Sequence, residues 1–144
     1  MNVAGLDFDV ALVGRLRDFA PLSSLVGRAV HQGEAKRDTP LPYVLVRRIA
    51  SPPDHHMAGA SALRSETFQF SVYAESPEQR GAVCRALRDC LDGFQGDIGG
   101  FDVGSCDEIN RLDDEMAVAD GGDRVYHVAF CDYEIVHEQI VPAR

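Results

Sequence analysis

Between Arg64 and Gly96 the apolar period of the chain switches from two to nearly four, and this switch constrains the fold more than any other feature. Phe68, Phe70 and Val72 alternate with Thr67, Gln69, Ser71 and Tyr73, the pattern of a strand with one buried face. Ser76 then suits an N-cap, Pro77 the first helical position, and Gln79 completes a capping box of the S-x-x-Q type. Val83, Leu87, Cys90, Leu91 and Phe94 follow at helical spacing and make one apolar stripe, closed by Asp92-Gly93. A strand that runs straight into an amphipathic helix can lay the helix back over itself. The other strands are expected to build beside this unit.

Upstream, Leu6, Val10, Leu12, Val13, Leu16 and Phe19 predict a helix over 6–19, ended by Pro21. Leu22, Leu25 and Val26 allow one more turn before Gly27, and 28–31 suggests a small strand. After a polar loop over 32–42, YVLVRRI at 43–49 predicts a strand with Tyr43, Leu45, Arg47 and Ile49 on one face and Val44, Val46 and Arg48 on the other. Residues 51–63, with two prolines and a glycine, read as a long connecting loop. A weaker strand is expected over 101–109, an acidic loop over 110–123, and a last strand over 124–136. In that strand Tyr126, Val128 and Phe130 alternate in one register and Tyr133 and Ile135 in the other, which suggests a bulge near Cys131-Asp132. The tail HEQIVPAR is expected to fray or to reach a neighbour. The sum predicts an α+β fold: a mainly antiparallel β-sheet with two main α-helices packed on one face, in a single domain over 1–144.

Composition bears on partners. A formal net charge of −9 argues against free binding to nucleic acid through phosphates and against anionic membrane surfaces. No apolar run approaches the roughly 20 residues of a membrane span, and the acidic start MNVAGLDFDV does not read as a secretory signal. Four cysteines, at 84, 90, 106 and 131, form no C-x-x-C pair and are expected as core thiols without a disulfide framework.

Chemistry-bearing patterns are weak. His55-His56 is the most tempting metal candidate, but neighbours on an extended chain point opposite ways and no further ligand pattern supports it. Asp113, Asp114 and Glu115 lack the spacing of a calcium loop. His127 and Cys131 share a strand face about two steps apart, too far for a nucleophile and its base. Of Arg47-Arg48, one is expected to snorkel at the strand end or to pair with a carboxylate, with a buried salt bridge between subunits as the alternative.

Three segments in order carry a likeness: LSSLVGRAVHQGEAKRDTPLPYVLVRRI, ALRSETFQFSVYAESPEQRGAVCRALRDCLDGFQG and DRVYHVAFCDYEIVHE. Together they resemble the tail completion family of tailed bacteriophages and prophages, the small tail terminator proteins. The likeness runs from Leu6 to Glu138 and departs from the family pattern at Cys131-Asp132 and after Val136. The resemblance implies an α+β subunit of a ring, often a hexamer, that caps the tail tube, stops its polymerisation and offers a surface for joining the head. It implies a protein of the virion tail, assembled in the host bacterial cytoplasm, with no enzymatic activity and no cofactor. Implied partners are further copies of itself, the tail tube protein and a head–tail connector, with DNA passing through unbound and no membrane involved. Loop length and composition place candidate contacts at Asp54, His55, His56 and Met57 and at Asp113, Asp114 and Glu115, and a salt bridge between subunits would add Arg47 and Arg48. Two other readings stay open: a connector of the same pathway, or a small-molecule or metal-binding module using the histidine loop.

Overall fold

The structure, a computed structural model, describes residues 7–36, 39–52, 63–118 and 122–139. In chain order the elements are helix α1 (Phe8–Asp18), helix α2 (Ala20–Val26), strand β1 (Val30–Gln32), strand β2 (Tyr43–Ala50), strand β3 (Leu63–Ala74), helix α3 (Pro77–Leu91), and strands β4 (Gly96–Ile98), β5 (Phe101–Ala117) and β6 (Val125–Gln139). Six strands form one sheet in the order β1-β2-β3-β6-β5-β4. All pairs are antiparallel except β1 with β2. The α+β class holds, with three helices where two main ones were expected; the extra turn foreseen at 22–27 is a helix in its own right.

The strand–helix unit is built as its residues demand. On β3, Phe68, Phe70, Val72 and Ala74 are fully buried and alternate with half-exposed neighbours. Burying each large apolar side chain contributes about 1.5–3 kcal/mol. At the start of α3 the Gln79 amide donates to Ser76 Oγ at 3.1 Å, while the Gln79 side-chain oxygen accepts from the Glu75 amide at 2.7 Å. The capping box is therefore present, with its return arm reaching one residue beyond the cap. Val83, Leu87, Cys90 and Leu91 are buried as the stripe predicted, with Cys84 and Ala86 beside them. Gly93 takes φ +78°, and its amide bonds to the Cys106 carbonyl at 2.7 Å, tying the helix end to β5.

Helix α1 begins at Phe8, after Asp7 at the N-cap position. Its buried residues are Phe8, Ala11, Leu12, Val13 and Leu16. Val10, expected on the stripe, is exposed, and Leu6 lies outside the described residues. The helix touches β1 and β2 and also β4 at the opposite sheet edge, so the sheet curls around it. Gly99 lets β4 come this close: a Cβ there would sit 2.7 Å from the Cβ of Ala11.

The second half of the chain departs from expectation. Residues 110–117, read as an acidic loop, continue β5 and pair with β6 as far as Ala117↔Val125. The bulge foreseen near Cys131-Asp132 lies across the ladder instead: Glu108 pairs with Tyr133 and Asn110 with Asp132, leaving the extra residue on β5. β6 alternates without a break, with Ala129, Cys131, Tyr133, Ile135 and His137 buried on the core side. Tyr126, Val128 and Phe130 sit on its far side. The two runs are two faces of one strand. His137, Glu138 and Gln139, expected in a fraying or reaching tail, are the end of β6 and pair with β5.

Candidate functional site

Three strands each carry an ionisable residue that directly extends the core-side parity of their apolar run. Arg48 follows Val44 and Val46 on β2, Glu66 precedes Phe68 and Phe70 on β3, and His137 follows Tyr133 and Ile135 on β6. The sheet brings all three together. Arg48 Nε lies 2.6 Å from Glu66, and His137 Nε2 lies 2.5 Å from Glu66 Oε1. Glu66 and His137 are each only 3% exposed. Phe8 of α1 stacks on the imidazole with ring centroids 3.9 Å apart, and Phe101 meets it edge-on at 5.5 Å.

Charge states follow from these neighbours. Burial pushes the Glu66 carboxyl up, but hydrogen bonds from Ser51 and His137 and the charge of Arg48 outweigh it and hold the group below the ordinary range. Burial drives the His137 ring down, and Arg48 and Arg64 add to this, against the opposing pull of Glu66. The consistent state is a neutral imidazole whose Nε2–H donates to a charged carboxylate. Nδ1 is buried and has no hydrogen-bond partner among the described residues. The cluster clamps β2, β3, β6 and α1 at one end of the core.

A second charged group roots the far end of β5. Arg80 of α3 lies 3.6 Å from Asp113 and 3.3 Å from Glu115, and also donates to the Asp114 carbonyl at 3.3 Å. Arg111 donates to both oxygens of Asp113 at 2.8 and 3.1 Å. This fork holds the Asp113 carboxyl below its usual range. Asp113 and Glu115 therefore face α3, whereas alternation turns Asp114 to the far side with Leu112 and Met116. Leu112 is 59% exposed and Met116 41%.

The other expected residues divide sharply. Arg47 is exposed on the far side of β2, opposite Gln69. Arg48 takes its carboxylate partner within the chain. Asp54, His55, His56 and Met57 lie outside the described residues. Glu66 and His137 were not singled out from sequence, although the parity of their strands pointed both into the core. Among the described residues no group of three histidine, cysteine or acidic side chains is placed to hold a metal ion. Cys131 Sγ faces Cys84 Sγ at 3.9 Å rather than His127, and all four cysteines are buried free thiols.

Two concavities lie near the β1 edge. One, of about 870 Å³, runs between α1, β1 and β4 and is lined by Arg15, Arg17, Arg28 and His31 among others. Arg17 is engaged there by the Val30 carbonyl at 2.7 Å. The other, of about 600 Å³, has an apolar floor of Leu25, Val26, Ala29, Pro40, Leu41 and Pro42, with Arg28, His31 and Lys36 around it.

Residues 10–138 match the family model described as tail completion protein gp17. No curated protein matches the chain. Among solved structures, a chain from the virion of a native gene transfer agent particle superposes with a TM-score of 0.63 at 20% identity, covering 90% of this chain and 93% of that chain. A second solved protein, whose name states no function, gives 0.55 at 17% identity, covering 96% of this chain and all of that one. At such identities these two likenesses speak to the fold alone.

Proposed function

Because the chain belongs to the tail completion protein gp17 family, we propose that this structural protein of a phage-like tail caps the tail tube as a ring, ends its polymerisation and presents a surface for joining the head. The family match over 10–138 carries this reading. The superposition on a chain of a gene transfer agent virion agrees with it. So does the surface. A closed ring needs two dissimilar patches on each subunit that meet head to tail. This subunit offers an apolar, acid-bearing strand pair, 109–117 of β5 with the start of β6, and a basic-rimmed apolar concavity beside β1. The ring is a homo-oligomer, most simply a hexamer, with the tube protein on one side, a connector on the other, and DNA passing through without specific contact. With 23 acidic against 14 basic residues, its surface does not hold a polyanion. No chemical step and no cofactor enter this role; the work is geometric.

The test is tube length. Purified tube protein from the same particle is polymerised with increasing amounts of this chain, and lengths are measured by negative-stain imaging. Tubes that stop growing, with ends that no longer add subunits after dilution into fresh tube protein, are the expected result. Unchanged lengths at saturating chain would remove the capping role.

A further inference from the structure

Among the described residues eight large apolar side chains are exposed, and four of them, Ile109, Leu112, Met116 and Val125, lie on the distal part of the β5–β6 pair. That concentration marks the pair as an arm built for contact rather than a solvated hairpin. On its core side Arg80 of α3 ties Asp113 and Glu115 to the helix. β4 covers the outer edge of β5 only at Phe101–Val103, so the strand's later backbone is not shielded by a further strand. On the far side Asp114 stands between Leu112 and Met116, and its carboxylate accepts only the amide of Glu115 among the described residues. The arm therefore presents two apolar side chains with one unspent negative charge between them.

The opposite edge of the sheet presents the converse. The concavity of about 600 Å³ beside β1 has an apolar floor that includes exposed Leu25. Arg28, His31 and Lys36 border it, and no described carboxylate pairs with their side chains. The chain carries 23 acidic residues and only 14 basic ones, so Arg28 and Lys36, without a described carboxylate partner, stand out on this surface. It lies on the edge strand furthest from β5 in the half of the sheet that the arm does not occupy.

We infer that the arm of one copy docks into the β1 concavity of the next, Leu112 and Met116 entering the apolar floor while Asp114 meets Arg28 and Lys36. The inference rests on the ring reading, and it names the two surfaces that close the ring. A contact of this kind joins unlike patches, so it propagates head to tail and closes when the rotation allows. Complementary charge sets its register.

Engineered cysteines test it directly, because the four native thiols are buried. Leu25→Cys and Met116→Cys are placed in one chain and the protein is oxidised with copper-phenanthroline, alone and on tube ends. The expected product is a covalent ladder that stops at the ring size. Mixing the two single variants gives only dimers. Asp114→Arg or Arg28→Asp in that background lowers the cross-linking yield about fivefold, the scale of one lost charge pair, and the two together restore it. Circular dichroism checks that each variant is folded. No cross-link between these positions, or a cross-link from Met116→Cys to the tube protein instead, overturns the inference. If tubes are still capped in that case, the capping role stands and only the assignment of surfaces falls.

Discussion

Glu66 shows how one residue holds several elements. Its carboxylate is buried, yet it receives His137 and Arg48 at hydrogen-bond distance, which offsets the cost of taking the charge out of water. Glu66→Ala leaves an arginine and an imidazole without their partner and is expected to cost about 3 kcal/mol in urea denaturation. Acid should act through the same group. The folded-state proton affinity of His137 is depressed, so the unfolded chain takes up the proton first as pH falls below about 6.5. Glu66 is depressed as well, and its contribution is full above its ordinary value of 4.5 and is lost as pH falls below it. Both terms run in one direction: stability present at pH 7.5 declines below about 6.5 and declines further below 4.5. Denaturation midpoints from pH 7.5 to 4 check this. His137→Gln, which keeps a donor to Glu66 but does not titrate, should flatten the upper part of the decline. An unchanged slope in that variant would assign the acid sensitivity elsewhere.

At the scale of elements, legibility followed burial. The switch of period at 64–96 was readable because β3 and α3 each have one buried face, so apolar spacing reports their geometry. β5 beyond Glu108 was not readable for the converse reason. The stretch NRLDDEMA is exposed or half-exposed at every position, and a strand with solvent on both faces carries no alternation. It is held by its ladder with β6 and by Arg80, neither of which appears in local sequence. β6 misled differently: its apolar residues change face halfway, from Tyr126, Val128 and Phe130 to Tyr133 and Ile135, and a change of face imitates a bulge. The ionisable cluster was not read from sequence: Arg48 and Glu66 extend buried runs, but His137 fell in the stretch expected to fray. Only pairing register shows that the three runs meet. The closure of the curled sheet on α1 depends on Gly99, which has φ +59° and abuts Ala11. Gly99→Ala adds left-handed strain to a steric clash and is expected to cost at least about 2 kcal/mol. Thermal denaturation against wild type measures it. Gly81→Ala, where an added Cβ meets nothing within 4 Å in mid-α3, should instead be neutral or stabilising.

For the whole molecule, the parts describe a subunit whose chemistry is spent on shape. Its buried charges pair with one another, its thiols are packed away, and its unspent features are an apolar, acid-bearing arm and a basic, apolar concavity at separate parts of the sheet. In the proposed ring these two features are the surfaces through which copies meet. Membership of the tail completion family makes the chain a structural protein of a phage-like tail. The most direct measurement is a reconstruction of the tube end from purified particles or from tubes assembled with this chain, with the chain located by a C-terminal label. The account predicts a single closed ring of this chain at the head-proximal end and none along the shaft. Label distributed along the tube, or absent from both ends, would contradict it.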